Sequence, residues 1–272
     1  MNSLIGALSS EMRKVTSTRL WWILGLVVFV YVAFTAASLA GIAGAADSGL
    51  LDSEAISGQG IPLDPPLIYS FASSLGFVFP LILAAVSVTQ EFRHKTVNPT
   101  FLATPNRAVV LTAKAITMFL WGAVVGAFGV VASVGLGGGI LALFGSDPLL
   151  GESDTWALIG RMLLALALWG AIGVGLGALI PSQIAVIAVV LAFTQFVEPL
   201  LRFAATLTEW SAGIGAFLPG AASDALVGTS FYTMTGGATN TLDWWQGALV
   251  LLGLALVTGC AGYLVSWRRD VT

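Results

Sequence analysis

Long apolar runs constrain the fold of this chain more than any other feature of its sequence. The first run begins at Leu20 and continues to Ala46 without a charged residue. A helix needs about 20 mostly apolar residues to cross the hydrocarbon core of a bilayer. Charged residues make up 9% of the chain, whereas they make up about 25% of an ordinary soluble domain. The sequence therefore predicts a membrane protein.

The apolar runs are continuous and do not alternate between apolar and polar residues, which favours helices over the strands of a barrel. Six runs are long enough to span, at about 20–46, 66–88, 113–144, 156–180, 183–204 and 244–266. We therefore expect an all-α membrane protein with six transmembrane helices, folded as one transmembrane domain over residues 1–272.

Two further segments predict helices that do not cross the membrane. In residues 1–19 an apolar stripe recurs at helical spacing with charged residues elsewhere on the wheel, which indicates an amphipathic interfacial helix; the alternative is an ordered tail without a function. Residues 205–243 are rich in glycine and contain apolar pieces at 212–218 and 221–227, which are too short to cross. They predict a broken re-entrant or interfacial segment on the extracellular side.

The basic residues indicate how the chain is oriented, because cytoplasmic loops carry an excess of Lys and Arg. An N-terminus in the cytoplasm places nine of the eleven basic residues on the cytoplasmic side: Arg13, Lys14, Arg19, Arg93, Lys95, Arg107, Lys114, Arg268 and Arg269. We therefore expect both termini to be cytoplasmic in a multi-pass protein of the plasma (inner) membrane.

Several kinds of chemistry are excluded by what the sequence lacks. It has no G-x-x-x-x-G-K-[ST] motif, so no phosphate-cradling loop is expected on this chain. His94 and Cys260 are the single histidine and the single cysteine, which leaves no His-based triad and no CxxC metal site. A net charge of -3 argues against nucleic acid as a partner. We expect no metal or cofactor on this chain, and active transport would need a partner or an ion gradient.

The polar segment 89–112, between the second and third runs, carries the most informative pattern. It is charged but includes Phe92, Phe101 and Leu102, which would face lipid or a groove in another protein. One interpretation is a basic loop that fixes the topology. The other is a docking element for a cytosolic partner.

This segment resembles the cytoplasmic loop of ABC-2 type permeases. Residues 91–96 read Glu-Phe-Arg-His-Lys-Thr, and residues 99–105 read Pro-Thr-Phe-Leu-Ala-Thr-Pro, followed by Arg107 and then Lys114. The family has E-x-x-x-G-T, then Leu, Thr-Pro and Arg, and a Lys that opens the next helix. Lys95 stands where the family usually has Gly. The amphipathic start, six runs and a broken segment before the sixth run also resemble the family in order.

The resemblance implies that the loop forms a coupling helix, which inserts into a groove of a cytosolic ABC ATPase subunit. Two ATPase subunits would bind ATP and Mg²⁺ and drive two permease subunits, this chain paired with a second copy or a paralogue. The implied function is export of a hydrophobic or amphipathic substrate (a drug, lipid-like molecule or peptide) across a bacterial plasma membrane, with no enzyme activity on this chain. The implied docking and coupling residues are Glu91, Phe92, Arg93, Thr96, Phe101, Leu102 and Arg107.

Ionisable residues near the outer ends of the fourth and fifth runs suggest a buried ion pair. Counting helical rise from the turn that joins these runs places Glu198 near Arg161, and Arg202 follows Glu198 by four residues. We expect Glu198 to pair with Arg161 or Arg202, either as a functional group or as a structural clamp. If the transport path lies between two subunits, the fifth run would line it through Phe193, Gln195, Phe196 and Glu198.

Two other functions remain open from the sequence. A self-sufficient secondary transporter or channel would show ionisable residues near the membrane centre and inverted repeats, and no internal repeat is evident. The other is a membrane anchor or assembly subunit that retains the docking loop but does not transport a substrate.

Overall fold

A computed structural model describes residues 4–50, 63–230 and 242–267. All regular structure in these ranges is helical. Six of the described helices are long and apolar enough to cross a membrane, which confirms the expected all-α fold and identifies a multi-pass membrane protein. Arg268 and Arg269, two of the basic residues used to orient the chain, lie outside the described residues.

The six candidate spans are α2 (Leu20–Asp47), α3 (Pro65–Arg93), α5 (Arg107–Leu143), α6 (Ser153–Leu179), α7 (Gln183–Ala205) and α10 (Trp244–Trp267). The remaining helices are α1 (Leu4–Ser17), α4 (Val97–Ala103), α8 (Glu209–Gly215) and α9 (Pro219–Val227). Because α4 joins α3 to α5, the end of the bundle that carries it is called the α4 end, and the opposite one is called the far end.

Four of the spans contain a local departure from α-helical geometry. In α3 the α-helix stops at Ser74 and resumes at Val78, on either side of Gly76. Single π-helical turns occur at Ser133–Gly137 in α5, Phe193–Val197 in α7 and Tyr263–Trp267 in α10. Such turns bend a helix and recur at functional sites in proteins.

Helix α6 lies at the centre of the bundle. In its most apolar window 72% of the residues are buried, against 17% in α7 and 11% in α10. Small residues allow its neighbours to approach closely. A Cβ added at Gly177 would lie 2.7 Å from the Ala85 carbonyl oxygen of α3, and one added at Gly262 of α10 would lie 2.9 Å from the Gly175 carbonyl oxygen. Glycine contacts therefore join α6 to two other spans within the subunit.

The apolar stripe predicted in residues 1–19 consists of Leu4, Leu8, Met12 and Val15, and the face of α1 that packs on the bundle shares only Val15 with it. Its buried residues are Ala7, Glu11 and Val15. Leu4 is 40% exposed, and Leu8 and Met12 are partly exposed. The stripe sits at the edge of the packed face because the carboxylate of Glu11 finds partners inside the bundle.

The segment predicted as broken forms α8 and α9, and residues 231–241 lie outside the described residues. Helix α9 is buried over most of its length. Its Ser223 hydroxyl accepts a hydrogen bond of 3.1 Å from the indole N–H of Trp169 in α6. At Gly247, an added Cβ would overlap the Ala222 carbonyl oxygen, so α9 also lies directly against α10.

Candidate functional site

The turn that ends α3 explains the sequence motif of residues 91–96. The Thr96 N–H donates to the Glu91 carbonyl oxygen at 2.9 Å, and the Lys95 N–H donates to that of Phe92 at 3.2 Å. This pair of bonds is the Schellman arrangement, whose first residue past the helix cap is left-handed and usually Gly. Lys95 has a φ of 56°. Lys95 therefore occupies a position that glycine would take without strain.

Helix α4 follows this turn and places one large apolar side chain in the open. Leu102 is 84% exposed. The chain leaves α4 in an extended conformation at Thr104, and α5 begins at once because the Asn106 side chain accepts hydrogen bonds from the N–H groups of Ala108 and Val109. The extended residue Thr104 and the Asn106 cap of α5 therefore separate α4 from α5.

Three of the expected docking residues contact the end of α10 within the chain. The ring of Trp267 meets those of Phe92 and Phe101 edge-on, at centroid distances of 6.4 and 5.3 Å. The guanidinium of Arg107 lies 4.8 Å from the centroid of Phe101 and donates to the Trp267 carbonyl oxygen at 2.8 Å. Trp267 is 1% exposed, so this aromatic contact is part of the core.

A cluster of four charged residues lies beside α4 and joins α1, α3 and α5. The Lys114 ammonium donates to Glu11 at 2.5 Å and to Glu91 at 3.0 Å. The Lys14 ammonium donates to the same two carboxylates at 2.6 and 2.7 Å. Lys114 is 1% exposed, and Glu11 and Glu91 are 3% and 6% exposed. We call Glu11, Lys14, Glu91 and Lys114 the charge cluster.

The electrostatics of the charge cluster favour full ionisation of its members on α1. Burial opposes ionisation of the Glu11 carboxyl, but the ammonium groups of Lys114 and Lys14 outweigh it, so the pKa of Glu11 is lowered. Burial also opposes the charge on Lys14, yet the carboxylates of Glu91 and Glu11 raise its pKa. Two acids and two bases leave the cluster neutral, as a buried ionic group requires.

Sequence reasoning placed Glu91 in the loop but did not foresee that Glu91 would lie with the other three members of the charge cluster. Glu11 follows Ala7 and precedes Val15 at intervals of four, a spacing that puts all three on one helical face. The signal available in the sequence for a buried Glu11 was its position on the same helical face as the apolar residues Ala7 and Val15. The pairing with Lys114 spans 103 positions of the chain and is set by tertiary packing.

The other two expected docking residues lie near these contacts. The Arg93 guanidinium is exposed and donates to the Gln183 side-chain oxygen at 3.2 Å, which joins the end of α3 to the start of α7. The Thr96 hydroxyl donates to the Glu91 carbonyl oxygen at 3.5 Å. The α4 end is therefore tied to the spans through α1, α5, α7 and α10.

Towards the far end, Glu198 contacts one of its two expected partners. Its carboxylate accepts from Arg202 Nε at 3.3 Å and from the Gly220 N–H, at the start of α9, at 2.5 Å. Arg202 also donates to Asp224 of α9 at 2.6 Å. Arg161 instead lies over the ring of Trp244, 5.2 Å from its centroid. Asp224 was not foreseen, because α9 reaches Arg202 only in three dimensions.

The residues expected to line a transport path divide between two surfaces. Phe196 is 70% exposed, Gln195 is exposed and Phe193 is partly exposed, whereas Glu198 is 3% exposed and faces α9. The outward surface of α7 is thus apolar except for Gln195. No group of three His, Cys, Asp or Glu residues within the described ranges could hold a metal ion.

Comparison with known proteins finds no protein family and no curated protein that matches this chain.

Proposed function

We propose that this chain is the membrane permease subunit of an ATP-driven exporter of the ABC-2 type, working as a dimer with two separate ATPase subunits. The proposal includes a bacterial plasma membrane, both termini in the cytoplasm and a hydrophobic or amphipathic substrate. It rests on the sequence pattern of residues 91–107 together with the geometry of α4.

The observation that carries the proposal is the exposure of Leu102 on a braced helix. Leu102 is 84% exposed on α4, so its side chain is open to contact by an apolar groove of another protein. The neighbouring Phe101 is held by Trp267 and Arg107. A rigidly held helix with one outward apolar residue suits insertion into a groove.

Through its contacts with neighbouring helices, α4 would transmit a displacement at Leu102 to the spans. The aromatic contact with Trp267 leads to α10. The charge cluster leads from Glu91 to α1 and α5. Densely packed interiors have low compressibility and transmit strain, so displacement of α4 would shift these three helices together.

The poorly buried spans suggest where a second permease subunit packs. Only 17% of the apolar window of α7 and 11% of that of α10 is buried within the chain. Gln195 lies about 18 Å along α7 from Gln183, near the middle of the span, and its side chain is exposed. An amide at that depth is costly in lipid, which favours a protein or substrate surface there.

The position of α9 supports a re-entrant segment. Trp169 is about 24 Å along α6 from Ser153, well inside the span, and it contacts Ser223 of α9. The start of α9 is capped by the Glu198 carboxylate through Gly220. A short helix at that depth must be covered by protein, and α9 is buried over most of its length.

The proposal is tested by the ATPase activity that purifies with the chain. Tagged protein is extracted from its native host in mild detergent, and ATP hydrolysis is measured in the eluate. We expect the wild type to carry an ATP-hydrolysing subunit and Leu102→Asp to lose most of it. Leu207→Asp is the matched control, because Leu207 is also an exposed leucine, at 70%, but lies at the far end.

Absence of an ATP-hydrolysing subunit from the wild-type eluate would contradict the proposal. An equal loss in Leu102→Asp and Leu207→Asp would show a general defect and would contradict docking at α4. Thermal unfolding of each purified variant checks that the substitutions leave the fold intact.

A further inference from the structure

A cavity of about 360 Å³ lies beside the charge cluster, between α1, α3 and the start of α5. It is partly open to the surface. Glu11, Lys14, Glu91 and Lys114 all contribute to its wall. Because these four charges neutralise one another, they leave no net charge for a ligand to balance.

The lining of the cavity changes from polar to apolar with depth. Leu83 on α3 and Met118 on α5 form its inner part, and Leu83 lies about 12 Å along α3 from Glu91. Gln90 and His94 form the outer part. A ligand that fits must have a polar head and an apolar body, oriented parallel to the spans.

The charged residues that line the cavity are balanced, two acids against two bases, but two exposed cations adjoin the lining in the chain. Arg19 is exposed and lies between two lining residues, Thr18 and Leu20. Lys95 is exposed and lies between His94 and Thr96, which also line the cavity. Cations at the interface attract anionic headgroups, and Arg and Lys bind phosphate oxygens directly.

We propose that this cavity binds one anionic phospholipid, with its phosphate at the rim near Arg19 and Lys95 and the start of an acyl chain against Leu83 and Met118. The site does not depend on an ATPase partner. The lipid comes from the leaflet at the α4 end, which the proposed orientation makes the cytoplasmic one. It would fill the space next to the charge cluster and limit the access of water to it.

The test measures lipid retained by the whole chain. Protein is reconstituted in nanodiscs with equal amounts of phosphatidylglycerol and phosphatidylcholine, extracted into detergent and weighed by native mass spectrometry. We expect the wild type to retain one phosphatidylglycerol. Ser87→Phe should lower the retained fraction about tenfold, because Ser87 lines the cavity and a phenyl ring would occupy it. The Ser87 hydroxyl donates only within its own helix, to Ala84.

Ser38→Phe is the matched control, because Ser38 on α2 is exposed and its hydroxyl likewise donates to its own helix, at Phe34. It should retain lipid as the wild type does. If Ser87→Phe does not fold, His94→Glu tests the same site, since His94 is exposed and lines the rim. An added carboxylate there should also lower retention of phosphatidylglycerol.

Three results would overturn the proposal. One is equal retention by the wild type and both cavity variants. The second is equal retention of phosphatidylcholine and phosphatidylglycerol by the wild type. The third is stabilisation by soluble glycerol phosphate as large as that by phosphatidylglycerol, measured as a shift in Tm, which would indicate a site for free phosphate esters.

Discussion

Lys95 shows how one residue departs from a pattern and still fits the fold. Its φ of 56° lies in the left-handed region, where a side chain costs about 1 kcal/mol or more. The two hydrogen bonds of the turn, from Lys95 and Thr96 back to α3, hold it there. The strain is therefore local and can be removed.

Replacing Lys95 with Gly should stabilise the protein. The relief of left-handed strain exceeds the greater entropy of an unfolded glycine, so we expect Lys95→Gly to raise the free energy of unfolding by about 0.5 kcal/mol, seen as a higher Tm in detergent. His94→Gly is the control, because His94 has an ordinary φ of -93° and gains no such relief. A lower Tm for Lys95→Gly than for the wild type would contradict this account of the motif.

Lys114 is the most deeply buried charge of the cluster, at 1% exposed. Lys114→Met would leave two buried carboxylates with Lys14 alone, and we expect it to lower the free energy of unfolding by about 3 kcal/mol. Glu11→Leu in addition leaves the balanced pair of Lys14 and Glu91, and should bring stability to within about 1 kcal/mol of wild type. Denaturant titration of the single and double variants measures both.

Lys95→Met is a suitable control for Lys114→Met, because it removes an exposed lysine and should change stability by no more than about 0.5 kcal/mol. If the double variant is less stable than Lys114→Met alone, the charge cluster is not the source of the loss.

The charge cluster also sets a pH dependence. The pKa of Glu11 is lowered from 4.5 in the fold, so its contribution to stability is full above pH 4.5 and is lost as the pH falls through the folded value. The pKa of Lys14 is raised from 10.5, so its contribution is full below pH 10.5 and is lost as the pH rises further.

We therefore expect Tm to fall on acidification below pH 4.5, the ordinary pKa of Glu11, and this fall should be smaller in Glu11→Gln. Scans of Tm against pH in detergent compare the two proteins. An equal acid-side fall in both would contradict the assignment to Glu11.

At the scale of elements, glycines on α6 let neighbouring helices approach it closely, because they have no side chain. Gly177 contacts Ala85 of α3, whereas Gly160 in the same helix has open space where its Cβ would lie. The two positions share a helix and a residue type but differ in packing. Substituting each glycine therefore distinguishes the effect of close helix packing on stability from the effect of helix propensity.

Gly177→Ala should destabilise the protein by about 2 kcal/mol, because the added methyl meets a backbone carbonyl that cannot move easily. Gly160→Ala should be neutral or stabilise by up to about 1 kcal/mol, because alanine favours the helix. Thermal unfolding in detergent measures both. Similar effects of the two substitutions would contradict the close packing of α3 and α6.

The sequence predicted the spanning helices well and their contacts poorly. Hydropathy depends only on the local composition of the chain, so the sequence was enough to locate all six candidate spans. The start of α5 was placed at residue 113 rather than at Arg107 because the helix begins at the cap of Asn106, before its apolar run. The sequence alone did not decide whether Glu198 pairs with Arg161 or with Arg202, since the packing of α9 determines which arginine reaches it.

At the scale of the whole molecule, the described residues form one bundle with two unlike ends. The α4 end carries the exposed Leu102 and the charge cluster. Towards the far end, Arg202 joins α7 to α9 through Asp224. In the proposed exporter, an ATPase would act on the first end, and the helices that α4 touches would transmit its motion towards the second.

The central claim, that α4 docks on an ATPase, is tested most directly by photo-cross-linking from position 102. A benzophenone amino acid replaces Leu102 in the native host, and Leu207 in a matched control. We predict that irradiation yields, from position 102 only, an adduct with a polypeptide that contains a G-x-x-x-x-G-K-[ST] motif, identified by mass spectrometry. Adducts with lipid alone from position 102, or the same adducts from both positions, would contradict the account.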